Sequence, residues 1–140
     1  MIAAVVDANV FVSGVLSPTG TPARVLDCWR EGRFVLVLST AILEEIYRVL
    51  HYPKIAIRHQ WPEEQIRAFV DALASQAMIT PGTLTVTVIE DDPADNFYLA
   101  CALEGKATYL VSGDQLLLNL GDYQGVTILT PRTFLDIFQL

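Results

Sequence analysis

Short apolar runs alternate along this chain with longer segments whose apolar residues recur at helical spacing. This alternation is typical of an α/β fold with a mainly parallel central sheet. A short apolar run that ends at polar residues indicates a buried strand. The pattern predicts five strands, at residues 2–6, 34–38, 85–89, 108–111 and 126–129.

The segments between these runs predict five helices, from their apolar periodicity and from proline near the first helical position. Their starts are predicted at Thr21-Pro22, at Ser39 or Thr40, at Trp61-Pro62, after Asp92-Pro93 and at Thr130-Pro131. The fourth helix is expected to bury Phe97, Tyr98 and Cys101 and to end at Gly105.

The composition is that of a globular chain, because 52% of the 140 residues are hydrophobic and only 18% are charged. This balance excludes an intrinsically disordered chain, and the length predicts a single domain over residues 1–140. Cys28 and Cys101 are too few for a disulfide framework. The chain has no apolar run of the roughly 18 residues that a membrane span needs and no basic region before the first apolar run, as a signal peptide would have. We therefore expect a cytoplasmic protein with no membrane partner.

The net charge of −7 excludes a broad positive surface that coats nucleic acid. It leaves open a protein that cleaves nucleic acid with metal ions held by some of its carboxylates. Sequence motifs for nucleotide binding, such as G-x-x-x-x-G-K and G-x-G-x-x-G, do not occur. Serine–histidine and cysteine–histidine nucleophile arrangements are not supported either, because His51 and His59 lie close together in one polar segment.

Acidic residues follow the predicted strands at the edge where parallel sheets bind ligands. Asp7 directly follows the first strand, Asp114 follows the strand at 108–111, and Asp95 lies in the first turn of the helix after the strand at 85–89. Glu45 lies on the second helix beside its apolar face, whereas Glu44, about 100° away, points away from that face. Clustered carboxylates need a neutralising cation, and oxygen ligands suit Mg²⁺ or Mn²⁺.

Each acid also has a structural explanation when it is taken alone. Asp92 and Asp95 suit a helix N-terminus, Asp7 could begin an Asx turn, Asp114 could be a turn or cap residue, and Glu45 could be a solvated helix acid. Their joint placement at one sheet edge favours a functional site.

Four motifs occur in the order and spacing of a known family, and together they span most of the chain. They are VVDANV at 5–10, LEEIYRVL at 43–50, DPADN at 92–96 and LVSGD at 110–114. The sequence resembles PIN-domain proteins, close to the toxin components of prokaryotic toxin–antitoxin pairs, from Met1 through the segment at 130–135.

The resemblance implies a three-layer α/β/α fold and a Mg²⁺- or Mn²⁺-dependent ribonuclease that acts on RNA, with a small antitoxin protein as a possible partner. The residues that it implies are catalytic are Asp7, Glu45, Asp95 and Asp114. Of these, Asp7, Asp95 and Asp114 would hold the metal, while Glu45 would bind it or position the nucleophile. Asn9 and Ser112 match supporting polar positions that orient the carboxylates or a bound water. Relatives are commonly dimers, and the high apolar content also favours a homodimer.

One position departs from the family pattern, because many relatives have a further acid where this chain has Leu116. The departure weakens the case for a second metal ion, and Asp92 could supply a substitute ligand. It also leaves a non-catalytic binding module as an alternative. A further alternative is a deoxyribonuclease or structure-specific nuclease of the same fold. A phosphoacceptor receiver domain is disfavoured because neither of the two lysines, Lys54 and Lys106, follows the final strand.

Overall fold

The computed structural model describes residues 1–138, which contain one six-stranded sheet in the order β3-β2-β1-β4-β6-β5. All neighbouring strands are parallel except β5 and β6. The strands are β1 (Ala3–Val6), β2 (Val35–Leu38), β3 (Met78–Ile79), β4 (Tyr109–Val111), β5 (Asp122–Tyr123) and β6 (Val126–Leu129). Helices on both faces complete a three-layer α/β/α fold, so the predicted fold class is confirmed.

Eight helices accompany the sheet within these residues, together with a short 3-10 turn at Pro93–Asp95. The helices are α1 (Ala8–Leu16), α2 (Thr21–Arg30), α3 (Thr40–Leu50), α4 (Pro53–His59), α5 (Glu63–Gln76), α6 (Asn96–Glu104), α7 (Gln115–Leu120) and α8 (Pro131–Ile137). Helix α6 contacts β1, β2, β4 and β6, so it lies across the middle of the sheet. No helix in the described part of the chain is long and apolar enough to cross a membrane.

The central strands β1, β2 and β4 are almost completely buried. Their apolar side chains are covered on both faces, which explains why these strands appear in the sequence as continuous apolar runs. Helix α1 is apolar on most of its surface and contains five buried residues, so it lacks the amphipathic period that identifies a surface helix. The sequence pattern missed α1, and it also missed the short helices α4 and α7.

The predicted strand at residues 85–89 is wrong, and the strand beside β2 is Met78–Ile79. Residues 81–89 run across the structure without strand pairing. Pro81 cannot donate a backbone hydrogen bond, and Gly82 has a positive φ of 74°, so the chain turns away from the sheet directly after β3. The backbone N–H groups of this segment bond to the side chains of Glu104 and Asn96 instead of a neighbouring strand.

The sixth strand, β5, is added by a tight hairpin that the apolar pattern did not reveal. Gln124 and Gly125 join β5 to β6 with positive φ values of 48° and 88°. Two consecutive residues with positive φ are typical of the turn that connects antiparallel strands through a two-residue loop. Two-residue strands of this kind are too short to give a periodic signal.

Candidate active site

The sheet has a switch in strand order at β1, which pairs with β2 on one side and β4 on the other. Ligands bind in α/β sheets outside the carboxyl ends of the strands at such a switch. Asp7 follows β1 there, and its backbone N–H donates to the carbonyl of Val111 at the end of β4, with 2.9 Å between nitrogen and oxygen. The topology therefore places Asp7 and the residues after Val111 side by side.

Asp7 is only 2% exposed, and both of its carboxylate oxygens have hydrogen-bond donors. Oδ1 accepts from the backbone N–H of Asn9 at 3.0 Å, and Oδ2 accepts from the hydroxyl of Ser112 at 2.7 Å. Burial raises the pKa of Asp7, while these hydrogen bonds partly oppose the increase. The carboxylate is thus held in one orientation at the start of α1.

Ser112 is fully buried and connects two of the predicted site residues through one hydroxyl group. Its Oγ donates to Asp7 and accepts from the backbone N–H of Asp114 at 2.9 Å. Asn9 has a different position from Ser112, because it is exposed and its contact with Asp7 is through the backbone N–H. The structure therefore supports an orienting contact for the side chain of Ser112 and for the backbone of Asn9.

Asp92, Asp95 and Asp114 form a group that we call the acidic cluster, in which one carboxylate oxygen from each lies within 4.8 Å of the others. Asp95 is 5% exposed, and its Oδ2 is buried without a hydrogen-bond partner among the described residues. Burial, and then the negative charge of Asp114, raises the pKa of Asp95 to about 7. The charges of Asp92 and Asp7 add to this effect. The cluster has the donor chemistry of a site for a divalent cation.

Local capping places two members of the acidic cluster. Asp92 begins the 3-10 turn, and its Oδ1 accepts from the backbone N–H of Ala94 at 3.2 Å. Asp114 begins α7, and its Oδ1 accepts from the backbone N–H of Leu116 at 2.8 Å. One oxygen of each residue makes a capping bond that fixes the side chain. Capping and membership of the acidic cluster are therefore compatible, although the sequence presented them as alternatives.

Glu45 and Glu44 differ in burial, since Glu45 is half-buried on α3 and Glu44 is exposed. Burial raises the pKa of Glu45, and the negative charge of Asp7 adds to the increase. The charge of Asp7 thus affects the pKa of Glu45, but Glu45 is not part of the acidic cluster.

Tyr98 is a site residue that the sequence analysis assigned only to the core. Its buried hydroxyl interacts with the carboxyl groups of both Asp7 and Glu45 and lowers the pKa of each. The hydroxyl oxygen also accepts from the backbone N–H of Ala8 at 3.2 Å. Burial and the two negative charges raise the pKa of Tyr98, so it remains a neutral donor. The only sequence signal was a phenol on a helix that otherwise buries apolar residues.

The structure gives the exposure of two side chains that the sequence analysis singled out. Phe97 was predicted to be buried, and this is wrong, because it is 55% exposed at the start of α6. Position 116, where many family members have a further acid, holds a half-buried leucine in a cleft between α7 and residues 88–91. The residues brought together most closely are Asp95 and Asp114 with Asp92, while Ser112 links Asp7 to Asp114.

Comparison with known proteins identifies the family. A family model described as PIN domain matches residues 3–116. The chain belongs to the PIN-domain family. Its PIN fold places the four predicted acids along the carboxyl edge of the sheet and on the neighbouring helix α3.

Two similar proteins extend the comparison over nearly the whole chain. An uncharacterized protein of Methanocaldococcus jannaschii is 30% identical over 146 residues, which cover 99% of this PIN-domain chain and 92% of the relative. The structure of VapBC2 from Rickettsia felis bound to a DNA fragment from their promoter has a TM-score of 0.59 and 12% identity. That similarity covers 92% of this chain and 98% of the other chain, and at this identity it shows the fold alone.

The raised pKa of Asp95 predicts a pH-dependent effect of Asp95→Asn on the metal-free protein. Below the ordinary pKa of 3.8, folded and unfolded chains are both protonated at this position, so the carboxyl adds no pH dependence. Between 3.8 and about 7, the unfolded chain ionises while the folded chain keeps its proton, so the free energy of unfolding falls as the pH rises. Above this range, Asp95→Asn should raise the melting temperature by a few degrees, since about 1 kcal/mol corresponds to roughly 4 °C.

Thermal unfolding in chelator at a series of pH values measures this effect. The advantage of Asp95→Asn over the wild type should shrink steadily as the pH falls towards 4. Asp71→Asn removes an exposed carboxylate on α5 and controls for the loss of one negative charge. A destabilised Asp95→Asn at pH 8 would show that this carboxylate is needed by the fold itself.

Proposed function

We propose that this PIN-domain protein is a single-domain, metal-dependent endoribonuclease that hydrolyses RNA phosphodiesters. Its membership of the PIN-domain family supports nuclease activity. The observation that carries the proposal is the buried Oδ2 of Asp95, which has no hydrogen-bond partner within residues 1–138 and belongs to a member of the acidic cluster. A buried carboxylate oxygen in this position requires either a proton or a cation.

The residues at the sheet edge fit Mg²⁺ or Mn²⁺, because every donor is an oxygen atom. We propose that Asp7, Asp95 and Asp114 hold the ion. Many relatives have a further acid where this chain has Leu116, and we propose that Asp92 supplies an additional oxygen donor instead. When bound, a divalent ion of this kind lowers the pKa of water and stabilises negative charge on the phosphate.

The other residues around the cluster would orient these groups and handle a proton. Ser112 holds the Asp7 carboxylate and the backbone of Asp114 in a fixed relation. Burial raises the pKa of Glu45, which is half-buried on α3. A half-buried carboxylate with a raised pKa is better suited to accept a proton from attacking water than an exposed one. We therefore propose that Glu45 orients or deprotonates the nucleophile, or adds a donor to the ion.

We further propose that the protein is the toxin of a toxin–antitoxin pair and binds a small antitoxin protein. The similar solved structure, VapBC2, is a toxin–antitoxin complex bound to promoter DNA. A short neighbouring reading frame with a DNA-binding half would support this partner.

Cleavage of single-stranded RNA by the purified protein is the direct test. RNA should be cut in Mg²⁺ or Mn²⁺ and remain intact in chelator. Asp7→Asn and Asp114→Asn should each abolish cleavage, because each removes a charge from the proposed metal site, while the melting temperature of the metal-free protein stays equal or rises.

Matched RNA and DNA substrates distinguish the proposed activity from its alternatives. Preferential cleavage of DNA would indicate a deoxyribonuclease of the same fold. Cleavage that persists in chelator would contradict the role of the metal. Calorimetry that detects no binding of Mn²⁺ would favour a non-catalytic binding module, and unfolding of both Asn variants would show that these carboxylates are structural.

Glu45 and Glu44 offer a matched pair of variants on one helix. Glu45→Gln should reduce the cleavage rate by about 10²-fold or more, as expected when a group that handles a proton is lost. Glu44→Gln should change little, because an exposed helix charge contributes less than about 0.5 kcal/mol. Single-turnover rates of the two variants measure the difference, and a reversed ranking would move the proposed role to Glu44.

We also propose that the protein forms a homodimer, because apolar side chains remain at its surface. Ile57 on α4 is 74% exposed, and Tyr52, which precedes the first residue of the same helix, is 46% exposed. Light scattering should give about twice the 15.5 kDa of one chain. Ile57→Glu should shift the mass towards that of one chain if α4 contributes to the interface, and a wild-type monomer at high concentration would refute the proposal.

A further inference from the structure

A cavity of about 480 Å³ lies next to the acidic cluster, on the side that faces residues 80–89. We call residues 80–89 the strap. The walls of the cavity are the strap, the start of α3 and one face of α6, and they include Pro93 and Asn96. These two residues flank Asp95 in the 3-10 turn and at the start of α6, so the cavity and the acidic cluster share one short segment of chain.

The strap is fixed at both ends by side chains of α6. Near its start, the carboxylate of Glu104 accepts hydrogen bonds from the backbone N–H groups of Gly82, Thr83 and Leu84. At its far end, the side-chain oxygen of Asn96 accepts from the backbone N–H groups at positions 88 and 89, at 3.0 and 2.9 Å. The cavity is therefore a built feature with an anchored wall.

Asn96 also connects the strap to the 3-10 turn at Pro93–Asp95, which we call the acidic turn. Its side-chain N–H groups donate to the carbonyl of Ile89 at 2.8 Å and to the carbonyl of Pro93 at 3.2 Å. The residue is 6% exposed, and its amide is well satisfied by these bonds. The wall of the cavity is thus held at a fixed position relative to Asp92 and Asp95.

Phe97 lines this cavity and leaves 55% of its surface exposed. It lies two residues after Asp95, on the helix that starts at the acidic turn. Phenylalanine is usually buried, so a half-exposed ring at the edge of a cavity is available to cover a bound group. Leu84, Val86 and Ala100 add further apolar surface to the walls.

The charge of the cavity walls limits which part of a nucleic acid can enter. None of the described residues that line it is a lysine, arginine or histidine, and the only carboxylate among them is that of Glu104, which is bonded to the strap. A phosphate group would find no positive partner there. A flat and uncharged group with polar edges fits better, because Thr85 and Thr87 add hydroxyl groups to the apolar walls.

We propose that this cavity binds one nucleobase of the substrate strand, next to the phosphate that is cleaved, with the base stacked on Phe97. The inference rests on the proposed nuclease function and specifies how its substrate is bound. Stacking of bases on aromatic side chains is tolerant of sequence and supports binding of single strands. The acidic chain thereby gains affinity for a nucleic acid from base contacts, since its net charge of −7 gives no general attraction.

Binding of short fluorescent RNA oligomers, measured by anisotropy in Ca²⁺, tests the proposal separately from cleavage. Phe97→Ala should weaken the binding of a single-stranded RNA about tenfold, as expected for the loss of one stacked base. Phe97→Trp should keep the affinity of the wild type. The same RNA with abasic residues should bind the wild type and Phe97→Ala equally, because no base is present to stack.

Ile137→Ala, which truncates an exposed apolar side chain on α8 that does not line the cavity, is the matched control and should leave the RNA affinity unchanged. Equal RNA affinity of Phe97→Ala and the wild type would overturn the proposal, as would a similar loss with the abasic RNA or failure of the wild type to bind RNA. A Phe97→Ala variant that binds RNA normally but has an altered oligomeric mass would assign this face to a protein partner. A protein that stacks a base on Phe97 but never cleaves would contradict the nuclease proposal and leave the base site in place.

Discussion

The buried hydrogen bond from Ser112 to Asp7 is the contact on which the arrangement of the site depends. It joins the ends of β1 and β4, the two strands between which the order of the sheet switches. The same hydroxyl accepts from the backbone of Asp114, so one oxygen atom determines the relative position of two acids that lie 107 residues apart. Because Ser112 is fully buried, the loss of either partner would leave a polar group unpaired away from bulk solvent. The fold thereby converts a pairing of strands into a fixed arrangement of carboxylates.

The three acids of the acidic cluster are held close together against their mutual repulsion. Capping bonds at Asp92 and Asp114 and the buried position of Asp95 leave little freedom for these side chains to separate. Burial, together with the negative charge of Asp114, raises the pKa of Asp95. Repulsion among these carboxylates destabilises the metal-free fold. A bound cation would remove this repulsion and stabilise the folded state. Glu45 and Tyr98 form a second group beside it, linked to the cluster through Asp7.

The sequence predicted those parts of the molecule that depend on local patterns. Buried parallel strands appear as apolar runs, so the sequence predicted β1, β2, β4 and β6. The acids that follow β1 and β4 were also predicted at the correct edge of the sheet. The strand at residues 85–89 was wrong because the backbone N–H groups of Val88 and Ile89 bond to the side chain of Asn96 on α6 instead of a neighbouring strand. Helix α1 was missed because it is buried on most sides. The roles of Asp92 and Tyr98 depend on contacts across the fold, which no local pattern contains.

The attachment of the strap through Glu104 and Asn96 has a consequence for how this protein can evolve. A strand is constrained residue by residue by the register of its neighbours, whereas most hydrogen bonds to the backbone of the strap come from these two side chains. Insertions, deletions and substitutions between the two anchors would therefore alter the shape of the cavity without shifting the sheet or the acidic turn. Selection can therefore change which ligand this cavity binds while the carboxylates remain in place. The residues that line the cavity and the residues that position the acids can then diverge at different rates.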